Sequence, residues 1–460
     1  MISNEAYRKH YVAVIGGSIS GSEAANLLAE HGFRVVVFDM NKLPYGKIED
    51  GLPSWHINLR NRQIKEIDKK LEHQNIRFVP HTKIGEDIDF LDLVKHWGFS
   101  AIILANGAWK DRNLPIANID KFIDNGLIYQ NSFINWFNHK HEKVYNGLHY
   151  EIKDNALVIG GGLASLDVIK VIMIELVKKQ LLELKGIEVD MFTLEKEGID
   201  KVLAKYNVNF DDLNIGKAKL AYRRTAKEMP LKTPKDDTKE SIEAAKNISE
   251  KLLNKYVEKY MFDFLPLSAP VNFTEENGKL TGIVFQKMKL DNGKLQAIDN
   301  EFFEIKTDIV ISSIGSIPEK IEGLQYDYSS LKMREGANDY HVFGYENVFA
   351  VGNAVTGRGN ILESKQHGKQ MTELIIDKHL TEDAFEKWLI EHNDGIKNSV
   401  KEQIDSIAKE ISELEIQPES IIQGIIDRTS EIHKQINYIS YNDWVKRNLP
   451  ERLEDIIGYK

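Results

Sequence analysis

The apolar positions of this chain gather into short unbroken runs that end at glycine turns, and most runs lead into a stretch of helical period. The first is Tyr11 to Met40, YVAVIGGSISGSEAANLLAEHGFRVVVFDM. It reads as strand, tight turn, helix and strand, with Asp39 closing the second strand. IRFVP, Ile76 to Pro80, predicts a short strand. FSAIILANGAW, Phe99 to Trp109, predicts a buried strand running into a turn. Its continuous apolar core suits a parallel sheet covered on both faces. NALVIGGGLASLDVIKVIMIELVKKQ repeats the opening order around Gly160, Gly161 and Gly162. TDIVISSIG, Thr307 to Gly315, and the segment from Val348 onward give strand and glycine turn again. Between these units, PVNFTEENGKLTGIVFQKMKLDNGKLQ alternates apolar and polar residues around Asn277-Gly278 and Asn292-Gly293, which predicts a β-meander.

Two stretches are read less directly. After Gly186, IEVDMFTL is one candidate for the second strand of the Gly160 unit, with Glu195 at its end. The other candidate is KLAYRR, Lys219 to Arg224, which makes residues 187–215 an insertion. The second reading is preferred. The last ~80 residues hold IDSIAKEISELEI and SIIQGIIDRTSEIHKQI, whose amphipathic period predicts helices that either cover the core or form a homodimer contact.

Composition narrows the function. The chain has 460 residues, enough for two or three domains, with 42% hydrophobic and 28% charged residues. Its net charge of −10 argues against a general nucleic-acid binder. With no cysteine, the chain can carry no disulfide, catalytic thiol, redox CxxC pair or cysteine-bound iron–sulfur cluster. Its fourteen histidines show no clustered ligand spacing, so no metal site is expected. No basic start precedes an apolar segment, and the most apolar stretch, Ala156 to Val177, is interrupted by glycines and charges. Neither a secretory leader nor a membrane span is predicted, and a cytoplasmic location is expected.

The two glycine turns carry the chemistry. In a dinucleotide fold, glycines let the backbone approach a pyrophosphate, the following helix offers free N–H groups, and an acid binds the ribose diol. Gly16, Gly17, Ser18, Ile19, Ser20 and Gly21 fit that turn, and Asp39 follows Gly21 at close to the required interval. Ser18 stands where the middle glycine is usual. Two such turns about 145 residues apart argue for a flavin domain and a nicotinamide domain in one chain. Arg223 and Arg224 suit the 2′-phosphate of NADP, whereas Glu195 would suit the ribose of NAD.

Together these motifs resemble the adrenodoxin-reductase and glutamate-synthase-small-chain branch of the flavin-dependent pyridine-nucleotide oxidoreductases, the ferredoxin–NADP reductase type, over roughly residues 10–375. GGSISG with Asp39 is similar to the FAD turn and its ribose acid. PYGKIEDGLPSWH is similar to the segment that lies near the flavin and includes Gly46 and His56. ILANGAW, with Asn106 and Gly107, resembles the family's ATGA turn. GGGLASLD resembles the NADP turn, which implies roles for Gly160, Gly162, Leu163, Ala164, Ser165 and Asp167. AYRRTAKEMP is close to the YRR-x-x-x-EMP segment and brings in Arg223, Arg224 and Glu228. VGNAVTGRGNI falls at the second FAD motif: Gly352, Asn353 (where aspartate is usual), Thr356, Gly357, Arg358, Gly359, Asn360 and Ile361.

The resemblance implies an α/β fold of two Rossmann-like domains in a glutathione-reductase-like three-layer arrangement. Residues 1–111 and 341–380 would form the FAD-binding domain and 112–340 the NAD(P)H-binding domain with its insertion, followed by a helical extension over 381–460. It implies FAD and NADPH, in preference to NADH, as cofactors, and His56 and Glu363 as candidate groups near the flavin. The absence of a dithiol makes the electron acceptor external. An acidic ferredoxin docking on the basic helix face of Arg60, Arg62, Lys65, Lys69 and Lys70 is the expectation. The alternatives are an electron-input subunit of a glutamate-synthase-like complex, a flavin monooxygenase, and a non-catalytic flavin-binding scaffold.

Overall fold

The predicted apolar runs become eight of the ten strands in two parallel five-stranded sheets, and Leu127–Tyr129 and Asp263–Leu265 are added to them. The computed structural model describes residues 10–459 apart from 235, 292, 337–338 and 353–381. In the first sheet the strands lie in the order Val348–Ala350, Ala101–Leu104, Tyr11–Ile15, Arg34–Phe38 and Ile76–Val79. All four pairings are parallel. The second sheet runs Leu127–Tyr129, Val310–Ser313, Leu157–Gly160, Lys219–Ala221 and Asp263–Leu265, again wholly parallel. In each sheet the strand before a glycine turn is central, and the chain continues to one side of it before crossing to the other. That reversal opens a crevice at the carboxyl ends of the strands, where α/β sheets bind ligands. Lys219–Ala221 is thus the second strand of the Gly160 unit, as preferred from the sequence.

IEVDMFTL is no strand. Asp190 caps a helix, Met191–Glu197, by accepting from Thr193 N–H at 2.9 Å, and Ile199–Lys205 follows as a second short helix. Met191, Phe192, Leu194, Ile199 and Val202 are all buried in the second core, so residues 187–213 form an integral layer of it. The meander is present as three antiparallel strands, Ser268–Glu276, Lys279–Asp291 and Lys294–Lys306. Asn277 (φ 52°) and Gly278 (φ 76°) give the first hairpin the paired positive φ angles that a two-residue turn needs. The chain crosses between the sheets at Lys110–Asp111 and Ser316–Ile317, which pair antiparallel.

The carboxyl-terminal helices cover the first sheet. On Glu382–Ser412, the residues Val400, Ile404, Ile407, Ala408 and Ile411 recur at helical spacing and pack against Val12, Val14, Ala24 and Leu28. On Glu419–Gln435, Ile422 and Ile425 join the core on the opposite face, with Phe90 and Leu93. Polar contacts lock this cover down: the Gln417 side chain accepts from Tyr11 N–H at 2.6 Å, and Trp444 Nε1–H donates to the Lys42 carbonyl at 2.7 Å. Of the two roles left open for these helices, they fill the first, covering the core with Val400, Ile404, Ile407, Ala408, Ile411, Ile422 and Ile425. Among the described residues, no helix is long and apolar enough to cross a membrane.

Ile404 is fully buried between the extension and the first sheet. Ile404→Ala is expected to destabilise the chain by about 2–5 kcal/mol, the range for an aliphatic side chain removed from a packed core. Urea unfolding would check this, and an unchanged midpoint would show that the extension is not part of the first core.

Candidate functional site

At the first turn, the backbone approach is as close as chain geometry permits. A Cβ on Gly21 would lie 1.8 Å from the Gly16 carbonyl oxygen, so a side chain there is excluded. Ser18 precedes the helix Ile19–Glu30 and makes no side-chain cap to it; its hydroxyl donates instead to the Tyr45 carbonyl at 3.1 Å. The N-terminal amides of a twelve-residue helix are left without a side-chain acceptor, which suits a phosphate. Three further sequence-predicted segments meet this turn. A Cβ on Gly46 would lie 3.0 Å from Ser18 Oγ, one on Gly16 would touch Asn106 Cα at 3.0 Å, and one on Gly352 would meet Ser20 Oγ at 2.2 Å. Gly107 adjoins Asn106 with open space beside it. Asn353, Thr356, Gly357, Arg358, Gly359, Asn360, Ile361 and Glu363 lie outside the described residues.

Asp39 lies directly against the turn at Gly17. Its carboxylate accepts from Gly17 N–H at 2.7 Å and from Asn41 N–H at 2.8 Å. Burial raises its pKa to about 6, against the opposing pull of those two amides.

The second turn has the same plan. Gly160 ends the central strand, and Gly162 precedes the helix Leu163–Lys185, again without a side-chain cap. Open space surrounds the position of a Gly162 Cβ, so a ligand can approach the backbone there. Ala164 is exposed at the first helical turn, Leu163 is half-buried, and the Ser165 hydroxyl donates back to the Gly162 carbonyl at 2.6 Å. Tyr222 lies directly against the turn, since a Cβ on Gly161 would fall 2.1 Å from its ring. Its hydroxyl donates to the Glu228 carbonyl at 3.0 Å, and Arg224 Nη1 lies 3.2 Å from Glu228 Oε1. Arg223 and Arg224 therefore stand beside the turn, with Arg223 exposed and Arg224 aligned by Glu228.

Glu195 sits elsewhere than a ribose site would require. Glu195 is buried on its helix and pairs with Lys170 at 2.7 Å. Asp167 points into the junction between the sheets, with Oδ1 3.6 Å from His56 Nε2 and 3.5 Å from Lys170 Nζ. His56 is brought there by Trp55, which is buried in the second core although its chain leads from the first sheet. Lys170 and Trp55 were absent from the predicted site. A lysine three residues after an aspartate, inside an otherwise apolar helix, is the signal that could have revealed Lys170.

The expected basic docking face is present only in part. Arg60 is 5% exposed and ion-paired with Glu454 of the carboxyl-terminal helix Leu453–Ile457. Lys70 pairs with Glu23 at 2.5 Å, and Glu66 takes both Arg62 and Lys397. Only Arg62, Lys65 and Lys69 of the five remain exposed. The extension covers the Arg60 end of this helix and Lys70 is paired, while Arg62, Lys65 and Lys69 keep an exposed basic stretch.

The comparisons agree with this architecture. Residues 14–51 match the model of the NAD(P)-binding Rossmann-like domain. The chain is 23% identical over 385 residues to a putative glutamate synthase (NADPH) small chain of Cereibacter sphaeroides, covering 80% of this chain and 77% of that one. It is 29% identical over 163 residues to a probable ferredoxin/ferredoxin–NADP reductase of Mycobacterium tuberculosis, covering 35% of this chain and 27% of that one. Among solved structures, FprA of Mycobacterium tuberculosis in complex with NADPH has a TM-score of 0.65 at 18% identity, covering 93% of this chain and 91% of that one. The two-domain fold and the sequence resemblance are thus both present.

The folded chain holds the Asp39 proton more tightly than an ordinary aspartate at 3.8 does. Between about pH 4 and pH 6 the native state therefore binds the excess proton, and the Asp39 contribution to stability falls as pH rises. Melting of the cofactor-free protein should show the gap between wild type and Asp39→Asn shifting against wild type across that window. A gap independent of pH would contradict the raised value.

Proposed function

We propose that this chain, a relative of glutamate synthase small chains and ferredoxin–NADP reductases, is an FAD-dependent NADPH oxidoreductase that passes electrons to an external acceptor. The observation that carries the reading is the pair of uncapped helix N-termini, each after a glycine turn at the centre of its own parallel sheet. Gly16 to Gly21, Asp39, Gly46, Asn106, Gly107 and Gly352 would hold FAD. Gly160, Gly162, Leu163, Ala164, Ser165, Arg223 and Arg224 would hold NADPH. The chemistry supplied by a bound flavin is acceptance of a hydride from NADPH and release of the electrons to an acceptor. The chain's own task is to bind and orient. Amides at the two helix starts face phosphates, the arginines select the 2′-phosphate, and the buried Trp55 and His56 exclude water between the sheets.

The chain has no cysteine to form an internal dithiol, so the acceptor is external. A ferredoxin-like iron–sulfur protein is the acceptor that the reductase relatives favour. A second reading, an electron-input subunit of a glutamate-synthase-like complex, has the longer match in its favour. Co-purification of a large iron–sulfur subunit would select it.

Ferricyanide reduction by the purified flavoprotein tests the nucleotide assignment. Arg223→Ala and Arg224→Ala should each raise KM for NADPH on the order of tenfold or more and leave KM for NADH within about 2-fold, since a charge-assisted phosphate contact is removed. A wild type that prefers NADH, or variants with unchanged KM for NADPH, would contradict it.

A further inference from the structure

One buried cluster is used by neither nucleotide turn as so far described. Lys170 Nζ lies 2.7 Å from Glu195 Oε1, 3.5 Å from Asp167 Oδ1 and 4.7 Å from the centroid of the Trp55 ring. The Tyr260 hydroxyl lies 2.9 Å from the Glu195 carbonyl oxygen and 3.1 Å from its Oε1. His56, Asp167, Lys170, Glu195 and Tyr260 are all buried. Burial alone would strip the charge from Lys170, but Glu195, Tyr260 and Asp167 outweigh it and hold the ammonium well above its ordinary range. Burial likewise opposes the Glu195 charge, and Lys170 overcomes this to bring its pKa down to about 2. The pair is buried and held in its charged form.

The distances divide the labour between the two carboxylates. A buried ammonium with Asp167 as its sole partner would draw that carboxylate into a direct pair and away from His56. Glu195 instead takes the short contact, and Asp167 keeps one oxygen between Lys170 and His56. Glu195 comes from the segment 187–213, whose helix is pinned by its Asp190 cap and by stacking of Phe192 on Tyr459 at 4.5 Å. Trp55 and His56 come from the loop after the first sheet's Gly46.

We propose that Lys170 and Glu195 are positioning residues. The segment 187–213 supplies Glu195 so that Lys170 stays central over the Trp55 ring, and Lys170 in turn sets Asp167 against His56. The register between the two nucleotide turns is thereby fixed for hydride transfer. That last consequence rests on the function proposed above.

The test uses the full-length flavoprotein and the variants Glu195→Gln, Lys170→Met and the conservative Lys170→Arg. Hydrogen–deuterium exchange at residues 53–57 reads the coupling across the junction without any reaction. Stopped-flow reduction by NADPH reads its effect on rate. Glu195→Gln and Lys170→Met should speed exchange at 53–57 and slow reduction on the order of 10- to 100-fold, the effect of a small misplacement of reacting partners. NADPH affinity should stay within about 2-fold, because neither residue touches the nucleotide turn, and Lys170→Arg should keep most of the rate. Should Lys170→Met fail to fold, Glu195→Gln alone decides. Unchanged exchange at 53–57, or an unchanged reduction rate, overturns the proposal. A wild type that NADPH does not reduce would instead remove the assigned function, while exchange would still decide the coupling.

Discussion

The Gly16 carbonyl oxygen lies where a Cβ on Gly21 would come within 1.8 Å, and this approach governs how sharply the Tyr11–Ile15 strand turns into its helix. The turn aims the helix N-terminus at the carboxyl end of the sheet. It also lets Gly46, Asn106 and Gly352 close around the same point. A larger residue at Gly21 would push the helix away from the turn that Asp39 lies against. The second sheet repeats the arrangement at Gly160 to Gly162, with Tyr222 packed on the turn in place of a loop. Strand order, helix polarity and glycine placement therefore act together, and a ligand at either crevice would meet the backbone rather than side chains.

The two sheets are joined as well as linked. Besides the crossing strands at Lys110–Asp111 and Ser316–Ile317, the first sheet's loop sends Trp55 into the second core. At the same crossing, Lys47 Nζ lies 2.8 Å from Ser316 Oγ, and burial lowers its pKa to about 8. The carboxyl-terminal segment adds a third tie: Arg452 pairs with Glu49, and Tyr459 stacks on Phe192 of the second core. The junction thus combines apolar packing by Trp55 and Tyr459 with charged pairs.

Period and glycine spacing made much of this readable beforehand. Buried parallel strands appear as continuous apolar runs, and each such run here is a strand where expected. The IEVDMFTL segment was ambiguous because four to eight residues of mixed apolar character suit a strand or a buried helix equally; the Asp190 cap decided for helix. The reach of the basic face over Arg60 to Lys70 could not be judged from local sequence, because Glu23 and Glu454, the partners of Lys70 and Arg60, lie far away along the chain. For Lys170 the local signal was Asp167 three residues before it, but its short contact with Glu195 comes from another helix, and only the folded chain brings it in.

The central claim is that both crevices work on one electron path, and anaerobic titration of the purified chain with NADPH, followed by visible absorbance, tests it most directly. The account predicts a yellow protein whose flavin band is bleached by about one NADPH per chain, the stoichiometry of one hydride per flavin. A colourless protein, or a yellow one whose band NADPH leaves intact, would contradict it.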